Sequence, residues 1–179
     1  MSMDASRLPF PIRRLAGSDA DQYRALRLEG LRSHPEAFGA SLEDEEARPL
    51  PWFVDRIERN VVFGAGSPAA PALMGVVGFL VPETAKMRHK GVLWGMFVRP
   101  DARGTGLATA LVVRVLEHAA QVVEEVRLTV VTSNTAAVRL YTRAGFEQYG
   151  LERRALKVGG RYYDELLMAV TVGRSAQVR

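Results

Sequence analysis

The stretch VRPDARGTGLATALV, residues 98–112, decides how the rest of the chain reads. An apolar run stops at Pro100, which lacks an N–H and restricts the residue before it. Asp101 and Ala102 make a turn, and two glycines one residue apart lead directly into an apolar helix. Gly104 is free to take a backbone conformation closed to other residues, and Gly106, with no side chain, leaves the helix start open to close approach. The first N–H groups of a helix have no partner inside it and carry the positive end of its dipole. A bare helix start of this kind is an anion site, and a pyrophosphate fills it best. Arg103 adds a full positive charge beside it.

Two common phosphate-binding patterns do not fit. A P-loop reads GxxxxGK[ST], and neither that lysine nor a magnesium-holding hydroxyl follows these glycines. A dinucleotide turn reads G-x-G-x-x-G, but Thr109 stands at the third position, and the next strand runs out as VVTSN (130–134) without a carboxylate.

Working outward, FPIRRL (10–15) reads as a short first strand and SDADQYRALRLEGLRSH (18–34) as a helix. Ser18 or Asp19 serves as its cap, and Tyr23, Leu26, Leu28 and Leu31 form its apolar side. Residues 41–60 form one or two shorter helices interrupted by Pro49 and Pro51, with Ser41 and Asp44 spaced as a capping box. Three strands follow, over 61–66, 71–81 and 90–98. A helix runs from Gly106 to about Val122, its face set by Leu107, Leu111, Val115, Ala119 and Val122. VRLTVV (126–131) alternates as a strand. NTAAVRLYTRAGF (134–146) is a helix capped by Asn134, carrying a stripe of Ala137, Leu140, Tyr141 and Ala144 and stopped by Gly145. The remainder is a hairpin turning on Gly159-Gly160, both suited to the positive φ of a type I′ turn. This order predicts an α+β domain, a mixed sheet with helices on both faces. One domain over residues 1–172 is expected, with 173–179 a flexible tail.

The chain has 179 residues, 47% of them apolar and 25% charged, an ordinary balance for one globular domain. Its net charge is +4, and its arginines are dispersed rather than run together. A nucleic-acid partner is therefore not expected. No apolar stretch has the length of a membrane span, and MSMDASRLPF lacks a signal-peptide pattern, so the expected location is cytoplasmic. There is no cysteine, and His34, His89 and His118 lack metal-ligand spacing, so no metal site is expected.

RGTGLA (103–108) resembles the R/Q-x-x-G-x-G/A signature of the GNAT superfamily of acyl-CoA-dependent N-acetyltransferases, with Arg103, Gly106 and Ala108 at the fixed places. NTAAVRLYTRAGF is similar to that superfamily's second motif, N-x-x-A-x-x-L-Y-x-x-x-G-F, at Asn134, Ala137, Leu140, Tyr141, Gly145 and Phe146. The likeness is specific over about residues 90–146, softer over 72–81 and 160–170, and only general over the first sixty. It implies a mostly antiparallel twisted sheet and acetyl-CoA as cosubstrate, lying between the strand that ends at Val98 and the strand at 126–131. The pyrophosphate would rest on Arg103, Gly104, Thr105, Gly106, Leu107, Ala108 and Thr109. The pantetheine would run along the main chain of Met96, Phe97 and Val98 as an added strand. Asn134 and Tyr141 would contact the cofactor, and Arg139 and Arg143 are candidates for the adenosine 3′-phosphate.

The resemblance also implies acetyl transfer to a primary amine, with Tyr141 as the acid that protonates the departing thiolate. Without a cysteine, direct attack in a ternary complex replaces a cysteine acyl-enzyme. The general base stays open among Glu29, the Glu43–Glu46 cluster, Glu83, Asp164 and Glu165, because VLWGMFV (92–98) holds no carboxylate. That absence keeps a non-catalytic acyl-CoA-binding domain as the alternative. Trp52, Phe53, Trp94, Tyr162 and Tyr163 are assigned to packing ahead of an acceptor pocket. The chain is expected to act as a monomer or a homodimer.

Overall fold

Alternating apolar residues divide the chain into seven strands: β1 (Ile12–Arg14), β2 (Val61–Gly66), β3 (Leu73–Leu80), β4 (Lys90–Val98), β5 (Glu125–Val131), β6 (Glu147–Val158) and β7 (Arg161–Thr171). The computed structural model describes residues 10–66 and 72–173, so Pro71, residues 1–9 and most of the expected tail lie outside the described residues. The strands form one sheet in the order β1-β2-β3-β4-β5-β7-β6. Every neighbouring pair is antiparallel except β4 and β5.

Period-two side-chain alternation gives this sheet two apolar faces. Val62 and Val76 look to one face, where α1 (Ala20–Ser33) and α3 (Leu50–Arg59) bring Tyr23, Leu26, Leu31, Phe53 and Ile57. Phe63 and Val77 look to the other, where α4 (Leu107–Ala119) brings Leu107, Leu111 and Val115 and α5 (Thr135–Arg143) brings Tyr141. The mixed sheet covered on both faces is the architecture the sequence predicts. Gly159 and Gly160 have φ of 54° and 79°, as the hairpin turn requires.

Local details depart from the sequence reading for identifiable reasons. Asp19 does not cap α1 with its side chain. Its carboxylate instead accepts both Arg13 guanidinium nitrogens, at 2.7 and 2.6 Å, and the Ala16 N–H at 2.9 Å. Pro51 does not interrupt a helix; it lies in the first turn of α3, where its missing N–H is not needed. Val122 falls beyond the end of α4 and is exposed. Ser41 caps α2 (Leu42–Glu46) by accepting the Asp44 N–H, but its hydroxyl donates to the Asp44 carboxylate, so the reciprocal half of a capping box is missing.

Glu45, in the same short helix, is not a surface acid. It is 3% exposed and accepts Arg27 Nε and Nη2 at 2.8 Å each, and Arg56 Nη1 at 3.0 Å. This buried triad joins α1, α2 and α3. Burial works against the charge on Glu45, but the two guanidiniums outweigh it and hold its carboxyl below the ordinary glutamate range. Breaking such a pair strands the remaining charge in a dry site. Glu45→Gln should therefore lose about 3–5 kcal/mol of unfolding free energy in urea titration at neutral pH. A carboxyl with a lowered folded pKa stabilises above its unfolded value, and that contribution is lost as pH falls through the folded one. The gap between wild type and variant should accordingly close as pH drops below about 4.

Candidate active site

The parallel pairing of β4 with β5 is short. Lys90, Gly91 and Val92 face Glu125, Val126 and Arg127, and the ladder then ends. On its other edge β4 continues against β3, but its register shifts between Trp94, opposite Gly78, and Phe97, opposite Val76. The extra residue is a bulge at Gly95, whose φ is 62°, and a bulge bends the strand that carries it. Beyond Val92 the two strands therefore part. Met96, Phe97 and Val98 lie on the unpaired side of this fork. Phe97 packs its ring on the α1 side and Val98 its side chain on the α4 side, which leaves main chain as the natural contact surface between the strands.

The loop after Val98 is pinned at several points. Arg103 Nε donates to the Val98 carbonyl at 3.1 Å, and Thr105 Oγ1 donates to the Ala102 carbonyl at 2.7 Å. Gly104 and Gly106 take φ of 76° and 86°, the left-handed region the sequence calls for. Gly106 caps α4 without a side chain, and the first helical bond is Ala110 N–H to Gly106 C=O at 3.0 Å. The N–H groups of Leu107, Ala108 and Thr109 precede that bond, and only Leu107 makes a long contact, 3.4 Å to Thr105 Oγ1.

His34 was not legible as part of this loop. Its Nε2 lies 3.2 Å from Arg103 Nη2, and since a guanidinium can only donate, the ring nitrogen is the acceptor of that contact.

On α5, Asn134 Oδ1 accepts the Ala137 N–H at 3.2 Å, the cap expected of it. Tyr141 is 6% exposed, edge-on to Phe146 with ring centres 5.7 Å apart, and burial pushes its phenol well above the ordinary tyrosine value. A cavity of about 320 Å³ lies between Thr109 at the start of α4 and Ala136, Arg139, Leu140 and Arg143 of α5. It brings the two arginines to the same end of the fork as the glycine loop.

A larger cavity, about 650 Å³, opens where β4 and β5 part, lined by Arg27, Phe38, Arg56, Trp94, Gly95, Arg127, Thr129, Tyr149 and Glu165 among others. Glu165 is the one carboxylate in that lining. Burial raises its pKa, and Glu152, directly across the β6–β7 ladder, raises it further; a hydrogen bond with Thr129 opposes both.

The other carboxylates considered as bases are engaged elsewhere or lie outside the cavity. Glu29 pairs with Arg99 at 2.8 Å, Glu45 with Arg27 and Arg56, and Glu46 with Arg32 at 3.4 Å. Asp164 accepts the N–H of Arg154, a bulged residue with φ of 56°. Glu83 and Glu43 are exposed away from the lining. Of the five aromatics considered, Phe53 is core and Tyr162 is exposed, but Trp94 lines the cavity rather than serving packing alone. Arg27, Arg56 and Arg127 carried no motif that marked them. Among the described residues no group of three or more His, Asp or Glu could hold a metal, and no helix is long and apolar enough to cross a membrane.

Residues 21–146 match the family model for the acetyltransferase (GNAT) family. Mycothiol acetyltransferases from Thermobispora bispora and Streptomyces scabiei are each 32% identical to the chain, over 143 and 135 residues and 76% and 74% of its length. The chain spans less than half of those relatives, 45% and 41%. A GNAT-family acetyltransferase from Streptococcus pneumoniae superposes with a TM-score of 0.80 over 92% of this chain and 99% of that one, at 22% identity. A phosphinothricin acetyltransferase from Sinorhizobium meliloti, solved in complex with AcCoA, gives 0.80 over 96% and 93% at 16% identity. At these identities the structural likeness is one of fold. The family match, which takes in both the glycine loop and the helix capped by Asn134, makes this chain a member of the GNAT acetyltransferase family.

Proposed function

We propose that the chain transfers an acetyl group from acetyl-CoA to a primary amine by direct attack in a ternary complex. The observation that carries this reading is the fork between β4 and β5, with free helix N–H groups at one end and the cavity holding Glu165 at the other. The residues suit the cosubstrate. Nothing lies within 4 Å of the Cβ that Gly104 lacks, so the loop is uncrowded at that glycine, next to the N–H groups that would hold the pyrophosphate. Arg139 and Arg143 would meet the 3′-phosphate, and the Met96–Val98 main chain the pantetheine.

Bound there, acetyl-CoA supplies an acetyl group activated as a thioester. Glu165, its pKa raised by burial and by Glu152, takes the proton of the attacking amine, directly or through a water. A main-chain N–H at Phe97 or Val98 receives the negative charge that develops on the carbonyl oxygen. Tyr141, kept protonated by burial, gives its proton to the sulphur as the carbon–sulphur bond breaks. The competing reading, an acyl-CoA-binding domain without catalysis, draws on the lack of a carboxylate in β4. Thiol release from acetyl-CoA across a panel of amines separates the two.

Acetyl-CoA should raise the melting temperature, with about 2.7 kcal/mol of stabilisation at a hundredfold excess over Kd. Thr109→Glu should abolish most of that rise while leaving the apo-protein at least as stable, because a carboxylate in the first turn suits the helix dipole but repels phosphate. An undiminished rise in this variant would remove the pyrophosphate from the α4 start.

Tyr141→Phe keeps the ring against Phe146 and removes only the hydroxyl. Its kcat should fall by about 10²–10⁴-fold with CoA affinity near wild type. Full activity, measured where chemistry limits the rate, would retire Tyr141 as the acid.

The kcat/KM profile should rise with pH as Glu165 loses its proton. Glu152→Gln, by removing the facing like charge, should move that limb to lower pH. A limb that stays in place would release Glu165 from the base role.

A further inference from the structure

One donor in the wall of the larger cavity has no hydrogen-bond partner. Arg27 is 4% exposed, and its Nε and Nη2 are spent on Glu45, yet Nη1 is buried without a hydrogen-bond partner. That nitrogen lies over the bulge, 3.5 Å from where a Cβ on Gly95 would stand, and both residues line the cavity. Trp94, in the same lining, carries a second buried N–H with no partner, its indole Nε1. Arg56 links the two, sharing Glu45 Oε1 with Arg27 and lying 4.6 Å from the Trp94 ring centre. Buried donors are almost always paired, and one on a charged group is the costliest to leave open.

The charges point the same way. Arg27 and Arg56 share a single carboxylate, so the triad keeps one net positive charge beside the cavity. Arg127 is neutralised by Glu125. The remaining lining charge is Glu165, which comes from β7 across the fork. The cavity is thus cationic on its α1 side and anionic on its β7 side. It complements a molecule with a negative and a positive end.

We propose that the acceptor is a small amine that also bears a carboxylate, an amino acid by chemical class, with its carboxylate on Arg27 Nη1 and Trp94 Nε1 and its amine toward Glu165. This rests on the acetyl-transfer reading above and names the substrate class of the same site. Two donor nitrogens offered to two oxygens suit a carboxylate, and a guanidinium is the side chain best shaped to bind one. An amine lacking that group leaves both donors unpaired, which is the situation in which polar sites discriminate most strongly.

The test uses matched pairs on the full chain: glycine, β-alanine and γ-aminobutyrate, each against its carboxamide. Thiol release from acetyl-CoA gives the rates. Calorimetry with the corresponding N-acetylated products, in the presence of CoA, gives affinity without turnover. The best carboxylate should exceed its amide at least tenfold in kcat/KM, mostly through KM, and its N-acetyl product should bind correspondingly tighter. Trp94→Phe, which keeps an aromatic ring over Gly78, should shrink the carboxylate-to-amide ratio severalfold. Arg27→Lys, checked for its melting temperature, should shrink it further.

Equal or better handling of the amides, with amines acetylated normally, would overturn the carboxylate subsite and leave acetyl transfer standing. Selective binding of the N-acetyl carboxylates with no thiol release from any amine would uphold the subsite and sink acetyl transfer. Neither binding nor turnover would end both.

Discussion

Everything that gives this chain a site depends on one short parallel pairing. Parallel neighbours cannot be joined by a tight turn, so the chain must leave β4, cross over and return, and α4 is that crossover. The start of α4 is thereby fixed at the end of β4 and the mouth of the fork, the position where open sheets with parallel strands tend to hold ligands. Had β4 and β5 stayed paired along their whole length, the N–H groups of residues 107–109 would face a closed sheet. The bulge at Gly95 keeps them apart, and it depends on a residue that tolerates φ of 62°.

Two glutamates near the fork are driven in opposite directions by their surroundings. Glu45 is buried against two guanidiniums and stays charged below the ordinary range; Glu165 is half-buried opposite Glu152 and moves up. Residue type alone does not separate a structural carboxylate from one suited to proton transfer. The partners across the helix or the ladder do. The arginines differ in the same way: Arg99 pairs with Glu29 and Arg103 with Val98 and His34 at positions open to water, whereas Arg27 holds a buried donor without a partner.

This is also why the sequence was informative in some places and silent in others. Strand alternation, the Gly159-Gly160 turn, the Gly104/Gly106 loop and the Asn134 cap are local, each written within a dozen residues, and each is found where it was expected. The wall of the larger cavity is not local. Arg27, Arg56, Trp94, Arg127 and Glu165 come from α1, α3, β4, β5 and β7, and no spacing relates them. Glu45 stood among the candidate bases for the same reason, since nothing within its short acidic helix marks it as structural until Arg27 and Arg56 arrive from elsewhere. Asp19 lies only six residues from Arg13, yet nothing in that spacing says that its carboxylate turns back to the guanidinium rather than capping α1.

The last strand in chain order among the described residues is not at the edge of the sheet. β7 lies between β5 and β6, pairing with β5 from Glu125–Thr171 to Val131–Glu165. A nascent chain can close the loop of residues 99–106 onto α4 early, since those contacts are short in sequence. It cannot shield the far edge of β5 until residues 161–171 have left the ribosome. Until then β5 is a bare apolar edge, the feature that recruits other chains into unwanted sheets. The wall bearing Glu165 is therefore the last part of the site to exist, and an arrest of synthesis shortly after α5 would release a chain that has its glycine loop, no second cavity wall and an open invitation to aggregate.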